Sequence, residues 1–173
     1  MLFRSRRLAA TVSPGAVVVS SPLSRCRRTA EEIAAQLGPV PVRIEPDLIE
    51  CDFGAWEGLT FAEVRRRWPE QMQAWLASPA VAPPDGESFD AVGARVIEAV
   101  SRLRAEYLGQ TLVLVSHVSP IKLVLRDALA ATDTFLHRMF LDATGVSIVD
   151  YFADGGIAVR TVNDTAHLTL TPQ

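Results

Sequence analysis

Lysine is almost missing from this chain: Lys122 stands alone, and every other basic residue is arginine. The bias reads as the codon usage of a GC-rich genome, not as a phosphate-binding strategy. An excess of positive charge is missing too. The formal net charge of -3 excludes nucleic-acid binding driven by bulk charge. Cysteine is scarce, and Cys26 and Cys51 have neither CxxC neighbours nor metal-ligand spacing. A disulfide framework is therefore not expected, and reduced thiols in a reducing compartment are. No apolar run approaches the ~18 residues needed to span a membrane. The stretch MLFRSRRLAATVSPGAVVV imitates a signal peptide in its arginines and LAATV. Ser13-Pro14-Gly15 cuts it short and no clean small-residue cleavage site follows, so mature cytoplasmic sequence is expected. Internal repeats and low-complexity segments are absent as well.

What remains is one domain's worth of chain, 173 residues of which 49% are hydrophobic. Residues 2–12 suit the last half of a helix before the turn at Ser13-Pro14-Gly15. Ala16 to Ser20 is a continuous apolar strand, as expected when both faces are covered. Ala30, Ile33, Ala34 and Leu37 then share a helical face that Gly38 closes. Val40 to Ile44, interrupted by Pro41, suits an edge strand. Leu48 to Gly58 has no clean period and reads as a shaped loop. Thr60 caps a helix that breaks at Pro69 and resumes through Met72, Trp75 and Leu76. Ser78 to Ser88 is proline-rich, irregular and placed over a site.

Ser88 opens the longest helix, with Phe89, Val92, Val96, Val100, Leu103 and Tyr107 along one face. Thr111 to Val115 is a buried strand ending at Ser116-His117. The next helix has Ser119 as N-cap and Pro120 at its first position, with Ile121, Val124, Leu125 and Ala128 inward. Asp133 caps a short helix through Phe140. Val146 to Phe152 and Ile157 to Val162 form a hairpin about Ala153-Asp154-Gly155-Gly156. Strands alternating with helices give an α/β fold with a mainly parallel sheet.

Three stretches bring a polar residue to the end of a strand or short loop: Ser20 to Arg25, Glu50 to Gly58, and Ser116 to Pro120. Strand ends that feed helix N-termini favour anions, phosphate above all. Together these stretches offer Arg25, Glu50 and His117. Phosphoryl transfer from a monoester needs a cationic cradle, a nucleophile and an acid for the leaving oxygen. The planar fork of arginine meets two phosphate oxygens at once. Each residue also has a plainer structural role open to it: a solvated first-turn arginine, a surface carboxylate, a histidine satisfied by backbone at a turn.

SSPLSRCRRTAEE, LIECDFGAWEG, PPDGESF and VLVSHVSPIK, in this order and spacing, resemble the histidine phosphatase (phosphoglycerate-mutase-like) superfamily. The resemblance runs from about Ser20 to the C-terminus. It is nearest to the acid phosphatase, α-ribazole-phosphatase-like domain found behind an RNase H domain in some bacterial bifunctional proteins. It implies a three-layer α/β/α domain over residues 1–173 that acts on small phosphorylated metabolites. Metal ions, organic cofactors, nucleic acid and membranes are not implied for this domain, although an RNase H domain could lie upstream. Arg25 matches the phosphate-pocket arginine, Glu50 the proton donor and His117 the second pocket histidine. The Val118 amide would add a donor, and Ser88 matches a loop near the substrate.

The family's Arg-His-Gly motif, whose histidine is phosphorylated, does not occur in this sequence. His137 and His167 have no matching context, and His137 suits a surface or interface position beside Arg138. The missing motif belongs to a whole segment, so a start placed too far downstream, or a fragment, is expected. Without that strand, two neighbours in the sheet would have unpaired backbone groups. The expected activity is phosphomonoester hydrolysis through a phosphohistidine of the full-length form. The alternatives are a phosphate-ester binder without catalysis, a non-functional remnant and a mutase-type phosphotransferase. The short insert between Gly58 and Ser88 favours hydrolysis over the mutase.

Overall fold

The computed structural model describes residue 12, residues 15–38 and residues 40–168. The helix expected over residues 2–12 therefore lies outside the described residues, except Val12, which packs against the smaller of two apolar clusters. Strand β1 (Val17–Ser20) leads through helix α1 (Ser24–Leu37) to β2 (Val42–Ile44). Helices α2 (Phe61–Arg67), α3 (Pro69–Ala77) and α4 (Phe89–Glu106) follow, then β3 (Leu112–Val115) and α5 (Val118–Ala128). The single turn α6 (Phe135–Arg138) precedes the hairpin β4 (Val146–Tyr151) and β5 (Ile157–Asp164).

The sheet is parallel, in the order β2-β1-β3, so β2 is the edge strand that Pro41 foretold. Val18 pairs with Val113 and Val19 with Leu114. Side chains alternate across a strand, and here both faces are apolar. Val17, Val19, Leu112 and Leu114 join the larger cluster with Val92, Val96 and Leu103 of α4 and Leu123 of α5. Val18, Val113 and Val115 meet Ala30, Ile33 and Ala34 of α1 on the other face. The result is three layers, α/β/α. The hairpin is a separate antiparallel pair, joined to α4 by Arg104, whose guanidinium lies 3.7 Å over the Tyr151 ring. Among the described residues β3 pairs with β1 alone, and its other edge has no strand partner.

Local signals explain the helix ends. Thr60 and Glu63 form a complete capping box on α2, and Pro69 starts α3 at the break. Ser88 Oγ accepts from the Ala91 amide to start α4. Three expectations need correction. Helix α5 begins at Val118 with His117 as N-cap, so Ser119 and Pro120 lie inside its first turn. Its buried residues are Ser119, Pro120, Leu123 and Leu125, because α4, α6 and β5 all pack on it and widen the covered arc. Helix α6 is capped at Thr134 and ends at Arg138, since the Asp133 carboxylate is held 3.0 Å from Arg126 and the chain turns extended at Met139.

Leu103 is wholly buried in the larger cluster. Leu103→Ala should destabilise the fold by about 2–5 kcal/mol. In urea denaturation this appears as a lower midpoint with an unchanged slope.

Candidate active site

The parallel pairing of β1 and β3 carries Ser20-Ser21 and Ser116-His117 to the same end of the sheet. Ser21 N donates to Val115 O at 2.9 Å, so the ladder runs to the last residue before the site. Ser21 Oγ then lies 2.7 Å from His117 Nε2. Arg25, on the first turn of α1, donates through Nε to His117 Nδ1 at 3.2 Å. Arginine has only donors, so Nδ1 must present its lone pair. The neutral ring therefore carries its proton on Nε2 and donates to Ser21 Oγ. Cys26 Sγ donates to Ser116 O and sits 3.4 Å from the same Nε2.

His117 is buried, and burial first, then the Arg25 charge, lowers its pKa below the usual imidazole value; Glu50 opposes the shift. The unfolded chain therefore takes up this proton before the folded one. The stability tied to neutral His117 is complete above the ordinary value near 6.5 and is lost as pH falls through the lower folded value.

Glu50 reaches the same place from a loop. Its Oε1 accepts from the Cys51 amide at 2.8 Å and the Ser119 amide at 3.2 Å. The second contact satisfies one of the donors left open at the start of α5. This is why Ser119 need not cap the helix: an acid from another element serves its amide. Ser116 Oγ donates to Leu48 O at 2.7 Å, pinning the start of the loop to the end of β3.

Arg95 of α4 fixes the rest. Its NH1 donates to Asp47 O and Ile49 O, its NH2 to Glu50 O, and its Nε and NH2 to the Glu87 carboxylate. That pairing with Arg95 lowers the Glu87 pKa. Glu87 in turn accepts from the Asp52 amide, and Ala55 N donates to Pro84 O. The two loops touch backbone to backbone. A Cβ on Gly54, where φ is +52°, would lie 2.2 Å from Pro84 O. The Cys51 thiol beneath them is pushed up to about 12 by burial and by the charges of Glu87 and Glu50. Both cysteines are thiols that donate to backbone carbonyls.

The structure thus brings Arg25 and His117 into contact and sets Glu50 at the entrance of the helix that His117 caps. Val118 is the first residue of that helix, with its side chain half exposed. Ser88 stands at the N-cap of α4, its hydroxyl engaged with Ala91. His137 is exposed yet lies edge-on to Trp75, ring centroids 5.2 Å apart. Sequence reasoning missed Ser21, Cys26 and Arg95. Arg95 had a signal: three residues after Val92 and one before Val96, it shares the inward side of α4. Among the described residues no cluster of three His, Cys, Asp or Glu side chains is placed to hold a metal ion. No described helix is long and apolar enough to cross a membrane.

Strand-end histidine, first-turn arginine and loop carboxylate converge at one end of a parallel sheet in an α/β fold. Residues 4–165 match the model of the histidine phosphatase superfamily (branch 1), and the chain belongs to that family. It is 48% identical over 153 residues to a bifunctional protein of Mycobacterium tuberculosis, covering 88% of this chain and 42% of that one. The chain therefore spans less than half the length of that relative. Phosphoserine phosphatase 1 of Hydrogenobacter thermophilus is 31% identical over 153 residues, covering 88% and 72%. A mutant phosphoserine phosphatase from Entamoeba histolytica, solved with phosphoserine, superposes with a TM-score of 0.82 at 26% identity, covering 96% and 81%.

In an NMR titration His117 should stay neutral below the usual imidazole range, with its proton on Nε2, and Arg25→Ala should move its pKa upward. Removing Arg95 leaves the Asp47, Ile49 and Glu50 carbonyls without their donor. Arg95→Met should cost about 1–3 kcal/mol in denaturant unfolding.

Proposed function

We propose that this domain hydrolyses phosphate monoesters of small metabolites in the cytoplasm. Arg25 and His117 grip the phosphoryl group, and Glu50 protonates the leaving oxygen. The observation that carries this reading is the convergence of the Arg25–His117 pair with a carboxylate held at the amide of Ser119. The phosphoryl acceptor in this reading is the histidine of the family's Arg-His-Gly motif, which this sequence does not contain. Its ring nitrogen attacks phosphorus, the P–O ester bond breaks, and the Glu50 proton goes to the departing alkoxide. Water then attacks the phosphohistidine, Glu50 takes the water proton, and phosphate leaves. In this reading substrate draws the imidazole N–H away from Ser21 Oγ, and that N–H and Arg25 together stabilise the charge on the equatorial oxygens.

The phosphatase relatives support hydrolysis over mutase chemistry, and so does the short stretch between Gly58 and Ser88. The reduced thiols Cys26 and Cys51 support the cytoplasm. A second reading, phosphate-ester binding without turnover, is favoured by the placement of the other histidines. His137 lies on Trp75, and His167 lies beside Thr144.

The 173-residue chain should bind inorganic phosphate and orthovanadate in calorimetry, and Arg25→Ala should abolish both. A chain extended upstream should turn over p-nitrophenyl phosphate. There, Arg25→Ala or His117→Ala should lower kcat/KM by about 10²–10⁴. Near-normal turnover in either variant would sink the assignment. Binding without turnover in the extended chain would favour the second reading.

A further inference from the structure

Both ring nitrogens of His117 have protein partners, and the two edges of the ring differ in access. Nε2 faces inward: Ser21 Oγ, fully buried, lies 2.7 Å away and the buried Cys26 thiol 3.4 Å away. Nδ1 faces Arg25, an exposed residue, at 3.2 Å. An anion drawn to Arg25 therefore meets the imidazole at Nδ1, which carries a lone pair while Arg25 donates to it. A lone pair repels a phosphoryl oxygen, so the grip needs a proton at that nitrogen. Two routes supply one. The ring can take up a second proton and become imidazolium, or it can stay neutral and carry its single proton on Nδ1.

The first route sets a buried cation beside Arg25 of α1, and Arg95 of α4 opposes it too; Glu50, from its loop, favours it. The second route leaves a lone pair on Nε2 that must find a donor. Ser21 can supply it. A hydroxyl is one donor and two acceptors, and its proton rotates to suit. Ser21 Oγ accepts from Nε2 and from the Leu23 amide at 3.4 Å, which leaves its own proton to turn. Turning that proton toward Nε2 reverses the 2.7 Å bond and moves no heavy atom. The Cys26 thiol donates to Ser116 O and is the weaker donor. Resting on the reading of Arg25 and His117 as the phosphoryl grip, we propose that Ser21 is a positioning residue whose hydroxyl reverses from acceptor to donor, so that His117 presents Nδ1–H to the phosphoryl group without gaining a proton. The balance closes: one proton leaves Nε2, one arrives at Nδ1, and the serine keeps its own. Arg25 turns its donor from Nδ1 to the anion in the same step.

Imidazole nitrogen NMR on the native 173-residue chain reads the tautomer directly, with inorganic phosphate as the probe. The measurement is made at about pH 8, above the range in which imidazole ordinarily titrates. The free chain should carry the His117 proton on Nε2, and the phosphate-bound chain should show a neutral ring with the proton on Nδ1. A bound ring that keeps Nε2–H, or one that becomes imidazolium, overturns the inference while the site reading stands. Ser21→Ala has no hydroxyl to reverse, so it can grip phosphate only by taking up a proton. Relative to the native chain, its phosphate affinity should fall about tenfold or more between about pH 6 and pH 8, as linkage to one proton requires. Calorimetry in buffers of different ionisation enthalpy should count about one extra proton per phosphate, a difference that cancels the titration of phosphate itself. Ser21→Thr keeps the hydroxyl and should restore the native proton count. A Ser21→Ala chain that binds as the native one does, or is weakened equally at both pH values, overturns the role of Ser21. Should the variants not fold, the native spectra decide. Failure of phosphate to bind the native chain overturns the site reading itself, and this inference with it.

Discussion

The site depends on one hydrogen bond, Ser21 Oγ to His117 Nε2 at 2.7 Å, between residues 96 positions apart in sequence. Only the parallel pairing of β1 with β3 brings these residues together, and that pairing is fixed by apolar side chains on both faces of the sheet. A slip of one residue would turn Val18 and Val19 to opposite clusters and move His117 away from Ser21. The core therefore sets the position of the imidazole. Arg25 then sets its protonation, because a guanidinium beside Nδ1 leaves one neutral tautomer available.

The acid is placed by a different means. Glu50 lies on an irregular loop, and irregular backbone has no ladder to hold it. Its position is fixed from outside: Ser116 at one end, Arg95 through three carbonyls, and the Ser119 amide at the carboxylate itself. Arg95 serves the loop by its main chain, so most side chains of Leu48 to Gly58 are free of that constraint. Gly54, against Pro84 and Gly86 of the other loop, is the exception, since the two backbones come too close for a Cβ.

Much of this was legible in the sequence. The apolar runs at Val17 and Leu112, the period of α4 and the cap signals at Thr60 and Ser88 act locally, and the structure keeps them. The family resemblance named Arg25, Glu50 and His117 because their motifs are contiguous. Ser21 and Cys26 were not legible, because their roles rest on contacts between distant elements. The start of α5 was misplaced for the same reason. Ser119-Pro120 is a good local N-terminus, but His117 at the strand end and Glu50 from the loop provide a better one two residues earlier. Local chemistry proposes a helix start, and tertiary partners decide it.

The distribution of cations follows from these constraints. Arg95 meets several oxygens of two loops with one planar guanidinium, and Arg25 spends its Nε on the imidazole. Lysine appears once, where an ammonium donates to one carbonyl, Leu136 O. The point charge of Lys122 ties α5 to α6 through a main-chain oxygen, while the planar guanidinium of Arg95 ties two loops at once.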